Sequence, residues 1–477
     1  MRVLGLLALA GLAAAGGLFE KKQPEGSTTR IFKRNGATVT IFEHAETGST
    51  LEFTSNPGLC EENKQVKQFS GYLSVGANMN MWFWFFEARK DPEKAPLAAW
   101  FNGGPGCSSM IGLFQEHGPC SWNNGEAMDK PSNNPYSWND YANMLYIDQP
   151  IGVGFSTGSS TVDSTTGAAK LIWNLIQAFY AKFPEYTSRE FAIWTESYGG
   201  HYGPGFAKYI LDQNKAIASG KINATKINFS ALGINNAWVN PYDAYKGMID
   251  FAANNSHKPL ISSTTAGRYT QLLEQSCAPA LKKCWADSTD ASCRSAMNTC
   301  KIGIESPISM AGDFDVYDVR KGRRGKWPPQ TYEKWLQQPA VQTMIGAKQK
   351  YNECPRQIQA RFQSTGDDSR NFLGALEEVV NSGAQVLVWA GDSDWICNWM
   401  GNFYTANDVK YPGQAEFKSR ALQPYKVNGK EKGSFKTVKN LAFLRVYNAG
   451  HTVPAYQPEI ALQAFVQTMK KEPLSST

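Results

Sequence analysis

The segment WTESYGGHYGPGF, residues 194–206, places Ser197 directly after Glu196, with two glycines close behind. The apolar run REFAIWT (189–195) precedes the serine, and the run GPGFAKYILDQ (203–213) follows it. Together they predict a buried strand, a sharp turn at Ser197 and a helix. A serine on such a turn is a candidate nucleophile, but a carboxylate beside it should hinder its attack unless Glu196 has another role.

Short apolar runs bounded by Gly, Pro, Asn and Asp recur along the chain and alternate with helical patterns. They include PLAAWF, NMLYI, FAIWT, FSALGI, AQVLVWA and LAFLRVY. This alternation predicts an α/β fold with a mostly parallel sheet covered by helices on both faces. Residues 36–90 instead predict hairpins and an antiparallel edge. The strand pattern fades in residues 241–335, which predict a helical cap inserted between two parts of the core, 18–240 and 336–477.

The composition is that of an ordered globular protein, with 42% hydrophobic and 19% charged residues and a net charge of +6 over 477 residues. The basic residues are scattered apart from RKGRRGK at 320–326, so nucleic-acid binding has no support. That cluster is either a processing site in the cap or a solvated basic loop.

The first residues, MRVLGLLALAGLAAAGG (1–17), predict a secretory signal peptide cleaved near its end. The apolar run is too short to span a bilayer of about 30 Å, and no later stretch predicts a membrane anchor. The expected location is therefore extracellular, with the vacuole as an alternative. Three N-x-[ST] sequons, at Asn223, Asn228 and Asn254, are candidate glycosylation sites.

Nine cysteines fit an exported protein with disulfide bonds. Cys277, Cys284, Cys293 and Cys300 are symmetrically spaced, which suits nested bonds Cys277–Cys300 and Cys284–Cys293, although four cysteines allow three pairings. A zinc site is the alternative, but the six-residue spacing lacks the short knuckle of structural zinc sites. One cysteine of the nine must stay unpaired.

A serine nucleophile needs a histidine to take its proton and a carboxylate to orient that histidine. In α/β hydrolases these residues follow in the order Ser, Asp or Glu, His, each after a strand. VLVWAGDSDWICN (386–398) offers Asp392 and Asp394 after a strand, and LRVYNAGHTVPAYQP (444–458) places His451 after the next. The order predicts an α/β-hydrolase fold with a serine triad, although a threonine stands at the first glycine of the G-x-S-x-G elbow.

Five longer segments resemble the secreted serine carboxypeptidases (peptidase family S10), in particular fungal enzymes related to carboxypeptidase S1. They are WFNGGPGCSSMIGLFQEHGPC (100–120), NPYSWNDYANMLYIDQPIGVGFS (134–156), WTESYGG (194–200), AGDSDWICNWMGN (390–402) and AGHTVPAYQP (449–458). Threonine at the first elbow position is an accepted variant of this family, so Thr195 does not count against the triad.

The resemblance implies Ser197 as the nucleophile, His451 as the general base and Asp394 as the orienting acid, while Asp392 supports the turn. It implies an oxyanion hole formed by the backbone N–H groups of Gly104 and Tyr198.

The resemblance also gives Glu196 a role. It implies that the substrate's terminal carboxylate is bound by Asn102, the Gly103 amide and two glutamates that share a proton, Glu116 and Glu196. Two close carboxyl groups cannot both ionise cheaply, so one stays protonated and can donate a hydrogen bond to the substrate. Peptide binding is then expected to be best at acidic pH.

The family further implies the disulfide Cys107–Cys354 and an unpaired thiol near the substrate pocket at Cys397, which is either reactive towards mercurials or an inert buried cysteine. Elimination then leaves Cys60 with Cys120. Thr452 is expected to line the leaving-group pocket. The sequence predicts neither a metal site nor a cofactor.

The predicted function is a secreted serine carboxypeptidase that hydrolyses C-terminal peptide bonds of peptides or proteins through an acyl-enzyme. The alternatives are an acyltransferase or esterase on the same scaffold, because the acyl group can pass to a nucleophile other than water, or a catalytically silent secreted binding protein.

Overall fold

The computed structural model describes residues 26–45, 48–55, 58–122, 130–323 and 327–477 of the chain. The expected signal peptide at 1–17 and residues 324–326 of the basic cluster lie outside the described residues. The signal peptide therefore stays a prediction, and so do the two alternatives for the cluster, a processing site or a solvated loop.

One twisted sheet of fourteen strands, counted over the described residues, runs through the protein. Along the sheet the order is β1-β2-β3-β4-β5-β9-β6-β11-β12-β13-β16-β15-β14, with β10 paired to β5, and β7 and β8 form a separate short hairpin. The strands are β1 (Ser27–Arg34), β2 (Ala37–His44), β3 (Ser49–Ser55), β4 (Gln68–Gly76), β5 (Met79–Phe86), β6 (Leu97–Phe101), β7 (Cys120–Ser121), β8 (Ser132–Asn133), β9 (Asn143–Asp148), β10 (Thr157–Gly158), β11 (Phe191–Glu196), β12 (Phe229–Asn235), β13 (Gln385–Gly391), β14 (Gln423–Val427), β15 (Lys430–Val438) and β16 (Leu441–Val446).

The middle of the sheet is parallel and its edges are antiparallel. Strands β9, β6, β11, β12, β13 and β16 pair in parallel. The hairpins β1 to β5 form the antiparallel edge that the sequence predicts. A second antiparallel edge, β15 and β14, follows β16 and was not predicted. The central strands are buried on both faces, which explains their continuous apolar runs.

Helices cover both faces of the sheet. One face buries α1, α2 and α11 through residues such as Ile172, Phe206 and Leu376, and the other buries α15 through Phe465. The helices are α1 (Thr165–Lys182), α2 (Gly199–Ala218), α3 (Pro241–Ala253), α4 (Ser263–Leu272), α5 (Ala278–Asp287), α6 (Asp290–Cys300), α7 (Ser306–Met310), α8 (Thr331–Leu336), α9 (Pro339–Ile345), α10 (Arg356–Thr365), α11 (Leu373–Asn381), α12 (Trp399–Asp408), α13 (Gln414–Ser419), α14 (Val453–Tyr456) and α15 (Pro458–Met469).

The segment between β12 and β13 is helical in its described part and has its own apolar cluster. Leu281 and Ile304 of this segment pack in one buried cluster with Trp238, Trp395 and Cys397 of the loops that follow β12 and β13. Helices continue from α3 to α11, past residue 335, so the cap boundaries 241–335 remain a prediction.

Four disulfide bonds are present, and they join the predicted pairs. Two are nested in the helical segment, Cys277–Cys300 and Cys284–Cys293, which removes these cysteines from any zinc site. The others are Cys107–Cys354 and Cys60–Cys120. Cys397 is free and buried.

The three sequon asparagines, Asn223, Asn228 and Asn254, are exposed, and their glycosylation stays a prediction. Among the helices of the described residues, none has the length and apolar character needed to cross a bilayer.

Candidate active site

Ser197 lies on a sharp turn between β11 and α2, at a left-handed φ of +64°. Three backbone hydrogen bonds hold this strained conformation: Ser197 N–H donates to the Asn235 carbonyl (3.0 Å), and the Ser197 carbonyl accepts from Gly200 and Trp238 N–H groups (2.9 Å each). A Cβ at position 200 would lie 2.4 Å from Trp238 N, so only glycine fits there. The geometry is that of a nucleophile elbow.

Thr195, the departure from the elbow pattern, is accommodated by the glycine four residues later. Its hydroxyl donates to the Gly199 carbonyl at 2.8 Å. A Cβ on Gly199 would lie 2.5 Å from Thr195 Cβ. The threonine therefore fits the elbow because position 199 has no side chain.

Asp394 and His451 meet at the carboxyl ends of β13 and β16. His451 Nδ1 lies 2.7 Å from Asp394 Oδ2. The same oxygen accepts from Asn236 Nδ2 at 2.8 Å and Cys397 N–H at 3.3 Å, and Oδ1 accepts from Ile396 N–H at 3.2 Å. Burial raises the pKa of Asp394, while His451 and these donors oppose the rise. Asp394 is thus oriented to hold the imidazole in one tautomer.

Asp392 supports the loop that carries His451. Its Oδ1 accepts from Asn448 N–H at 2.8 Å, and its Oδ2 lies 3.3 Å from Arg445 Nη2. Asp392 thus contacts Arg445 of β16 and Asn448 of the following loop. The acid that lies against the imidazole of His451 is Asp394.

Three backbone N–H groups near Ser197 have no hydrogen-bond acceptor within the described residues: those of Gly103, Gly104 and Tyr198. Gly104 has a φ of +112°, and a Cβ on Gly103 would lie 2.4 Å from Tyr198 N. Tyr198 also caps the N-terminus of α2, where the helix dipole favours negative charge. The arrangement can bind an anionic oxygen close to the serine.

Glu116 and Glu196 form a buried pair, here called the carboxyl pair. Both side chains are buried, with 4% of Glu116 and 3% of Glu196 exposed, and neither carboxyl oxygen of Glu116 has a hydrogen-bond partner among the described residues. Burial raises the pKa of both groups, that of Glu116 to about 7, and the negative charge of Glu116 raises the pKa of Glu196 further. The pair therefore keeps at least one proton well above the usual range of a glutamate.

The Asn102 side chain points its amide nitrogen at this pair. Its Oδ1 accepts from Trp100 Nε1 (2.7 Å) and Gly112 N–H (2.9 Å). This leaves Nδ2 as the group that faces Glu196 Oε1, at 3.2 Å. The orientation of Asn102 is fixed before any ligand binds.

Asn235 and Asn236, at the carboxyl end of β12, are site residues that the sequence reasoning missed. Asn235 Nδ2 lies 2.9 Å from Glu196 Oε2 and 3.0 Å from the His451 carbonyl. Asn236 donates to Asp394, as described above. Their position in the sequence could have identified them. They stand at the end of the apolar run of a central strand, and the other site residues lie at the same edge of the sheet.

Two cavities meet at Ser197 and Gly104. The first, of about 310 Å³, is lined by Asn102, Gly103, Glu196, His451 and Thr452. The second, of about 140 Å³, is lined by residues from the elbow, α10 and the helical segment, among them Tyr198, Trp238, Phe362, Ile396 and Cys397. A larger cavity of about 440 Å³ between α2 and α5 is lined by none of the predicted catalytic or substrate-binding residues.

The Cys397 thiol lines the second cavity together with Ser197, and burial together with Asp394 raises its pKa. One ligand atom each of Asp394, Cys397 and His451 lie within 4.8 Å of one another, a grouping that has the residue types of a metal site. Two of these residues already pair with each other, and the expectation that no metal is needed stays a prediction.

A family model described as serine carboxypeptidase matches residues 57–471. Carboxypeptidase S1 from Penicillium janthinellum is 56% identical over 425 residues, covering 89% of this chain and 100% of that protein. Carboxypeptidase Y from Schizosaccharomyces pombe is 38% identical over 409 residues, covering 83% of this chain and 40% of that protein.

The crystal structure of the prohormone-processing carboxypeptidase Kex1 from Saccharomyces cerevisiae superimposes with a TM-score of 0.71 at 24% identity, covering 85% of this chain and 91% of that one. At this identity the likeness concerns the fold. The predicted α/β-hydrolase fold is confirmed.

Proposed function

Because the chain belongs to the serine carboxypeptidase family and is a hydrolase, we propose that it removes single residues from the C-termini of peptides with a Ser197–His451–Asp394 triad. The observation that carries the proposal is the buried carboxyl pair. One member of the pair, Glu196, lines the cavity that Ser197 and His451 also line, so the site can bind a chain end and cleave the bond next to it.

The proposed chemistry begins with attack of Ser197 Oγ on the last peptide carbonyl while His451 takes the hydroxyl proton. The backbone N–H groups of Gly104 and Tyr198 stabilise the tetrahedral oxyanion. His451 then gives its proton to the leaving amine, and the acyl group remains on Ser197. Water, activated by the same histidine, releases the shortened peptide. Asp394 orients the imidazole and stabilises its charged form throughout.

Recognition of the chain end follows from the charges around the first cavity. Asn102 Nδ2, the Gly103 N–H and the shared proton of the carboxyl pair are hydrogen-bond donors suited to a terminal carboxylate. If both glutamates ionised, their charge would repel the substrate. We therefore assign the enzyme an acidic working range, in which the pair keeps its proton.

We further propose that the protein works outside the cell or in the vacuole. Four disulfide bonds support an oxidising compartment, and the three exposed sequons are accessible for glycosylation. Analysis of the mature N-terminus and of glycan occupancy from culture medium tests this assignment.

The decisive experiment compares an N-blocked dipeptide with the same dipeptide carrying a C-terminal amide, at pH 5. The free acid should release its last residue and the amide should react much more slowly, while Ser197→Ala should release nothing from either. Equal rates on both substrates would favour an esterase-like hydrolase. A product formed only when an added alcohol or amine is present would favour an acyltransferase. Failure of Ser197 to react with a fluorophosphonate would support the silent binding protein.

A further inference from the structure

The side chain of Tyr198, the residue after the proposed nucleophile, is anchored at its far end. Tyr198 is 5% exposed, and its hydroxyl donates a hydrogen bond to Asp367 Oδ2 at 2.7 Å. Asp367 is fully buried and belongs to the turn Asp367–Ser369, which follows α10. The backbone N–H of Tyr198 is one of the two donors assigned above to the oxyanion hole, so the following inference rests on the proposed function.

The carboxylate of Asp367 joins three parts of the fold: its own turn, the elbow and the start of α1. Its Oδ2 atom also accepts from the Thr165 backbone N–H at 3.0 Å and from the Thr165 hydroxyl at 2.7 Å. Thr165 is the first residue of α1, where the helix dipole favours a negative charge. The other carboxyl oxygen, Oδ1, lies 3.8 Å from Arg370 Nε. Asp367 is thus held by α1 and in turn holds the side chain of Tyr198.

A second set of contacts joins the backbone of Asp367 to the elbow. His201 Nε2 lies 3.1 Å from the Asp367 carbonyl, and His201 Nδ1 faces the Trp238 carbonyl. The Trp238 N–H in turn donates to the Ser197 carbonyl at 2.9 Å. The turn is therefore fixed relative to the elbow by contacts that do not involve the tyrosine hydroxyl. Its carboxylate is a fixed point for the Tyr198 side chain.

An oxyanion hole works through donors that are in position before the reaction, and an error of about 1 Å can cost about 10²-fold in rate. The peptide unit between Ser197 and Tyr198 carries one of these donors, and Ser197 has a strained φ of +64°. A rotation that relieved this strain would also turn the Tyr198 N–H. The anchored side chain opposes such a rotation. Its hydroxyl stays a donor because burial and the charge of Asp367 raise the pKa of Tyr198.

We propose that Asp367 is a positioning residue for the oxyanion hole: it fixes the Tyr198 side chain and thereby aims the Tyr198 N–H at the carbonyl oxygen of the substrate. Among the described residues that line the two cavities beside Ser197, Asp367 does not occur. It therefore acts through Tyr198 and not by contact with the substrate. Its effect is expected on the transition state, with little effect on substrate binding.

The test uses two inhibitors, an N-blocked peptide aldehyde and the matching peptide alcohol. Ser197 Oγ bonds to the aldehyde carbon, the hydroxyl proton passes to His451, and the carbonyl electron pair moves to the oxygen that enters the oxyanion hole. The alcohol has the same side chains but no carbonyl, so it binds without forming this bond. The ratio of their inhibition constants, alcohol over aldehyde, reports on the oxyanion hole and cancels any general loss of binding.

In Tyr198→Phe, which keeps the N–H and the ring, this ratio should fall at least about tenfold, and kcat should fall by a similar factor at nearly unchanged KM. Asp367→Ala should have the same effect, and the double variant should lose no more than either single variant. Asp367→Asn keeps an acceptor for the hydroxyl and should retain most of the ratio. Tyr209→Phe removes a hydroxyl from α2 at the separate 440 Å³ cavity and should leave the ratio unchanged.

An unchanged ratio in Tyr198→Phe, or independent losses that multiply in the double variant, would overturn the assignment of Asp367. A role in stability alone would lower the melting temperature of Asp367→Ala and leave its ratio at the wild-type value, which also rejects the proposal. If Asp367→Ala does not fold, the comparison of Tyr198→Phe with Tyr209→Phe decides, since equal ratios in these two variants contradict the proposal. A wild-type enzyme that binds the aldehyde no more tightly than the alcohol rejects the proposed function itself, because Ser197 then does not attack a carbonyl.

Discussion

Asn235 Nδ2 lies 2.9 Å from Glu196 Oε2, and the same nitrogen lies 3.0 Å from the carbonyl of His451. One buried amide thus touches both the proposed recognition group and the residue that carries the proposed general base. Its hydrogen bond lowers the pKa of Glu196, whereas burial and the charge of Glu116 raise it. The balance keeps one proton on the carboxyl pair in the acidic range.

The Michaelis constant for peptides should rise between pH 5 and pH 8, because the carboxyl pair ionises and repels the substrate carboxylate. In Glu116→Gln an amide can donate its hydrogen bond at every pH, so the dependence of KM on pH should flatten. Esters without a free carboxylate serve as the control and should show little change. Steady-state kinetics across this range provide the measurement, and a flat wild-type KM would contradict the role of the pair.

Stability should fall as the pH rises through the same range. The pKa of Glu116 is raised from 4.5 to about 7 in the folded state, so the fold favours the protonated form. This contribution of the carboxyl pair is complete below pH 4.5 and is lost as the pH rises through about 7. Urea unfolding of the wild type and of Glu116→Gln at pH 4 and pH 8 gives the change in the free energy of unfolding with pH for each protein. The wild type should lose more stability than the variant between these pH values.

The buried Asp148 and the partly buried Glu353 are other acids whose pKa values are raised to about 7, and they act in the same direction in both proteins. The comparison with Glu116→Gln therefore isolates the carboxyl pair, because removing the Glu116 charge also changes the pKa of Glu196. Equal pH slopes for the two proteins would show that the pair has ordinary pKa values in the folded state.

Asp394→Asn should lower kcat by about 10⁴ without a comparable change in KM, because the imidazole loses its orienting acid and the charge that stabilises its protonated form. The folded fraction, measured by circular dichroism, should stay near that of the wild type. Asp392→Asn is the matched control, since Asp392 contacts Asn448 rather than His451. A larger loss of kcat in Asp392→Asn than in Asp394→Asn would identify Asp392, and not Asp394, as the orienting acid.

Asn236→Ala should weaken catalysis because Asp394 is then held less firmly against His451. It removes the 2.8 Å hydrogen bond to Asp394 Oδ2, and bonds of this charged type are worth about 1.5–3 kcal/mol. We expect kcat to fall about tenfold or more. The pKa of Asp394 should also rise, which moves the acidic limb of the kcat profile to higher pH. A purely structural role would lower the melting temperature and leave that limb in place.

Cys397 should make the enzyme sensitive to organic mercurials although the thiol takes no part in the proposed chemistry. Cys397 and Ser197 both line the second cavity, so a mercurial bound to the thiol would block substrate. Because burial raises the thiol pKa, inactivation should speed up with rising pH. Cys397→Ser should remain active and resist the reagent. Equal inactivation of the variant would place the reactive group elsewhere.

Much of the fold could be predicted because its signals are local. A strand, a sharp turn rich in glycine and a helix surround Ser197, and each signal lies within a few residues of the next. The apolar runs of the parallel strands are continuous because both sheet faces are covered. The second antiparallel edge, β15 and β14, was not predicted. Strand β14 is partly exposed, so its sequence lacks the continuous apolar run that marks the buried central strands.

The sequence by itself determined the strand, turn and helix around Ser197, the order of the proposed triad residues and the cysteines available for bonding, while family resemblance supplied the proposed carboxyl pair. Only the tertiary structure decided which side chains support them. Asn236 meets Asp394 across 158 positions, and Lys301, Glu305 and Asp368 meet around one cavity from two separate turns. Such contacts depend on how the helices pack over the sheet. Packing brings together residues that are distant in the chain, and the sequence around each of them does not indicate its partner.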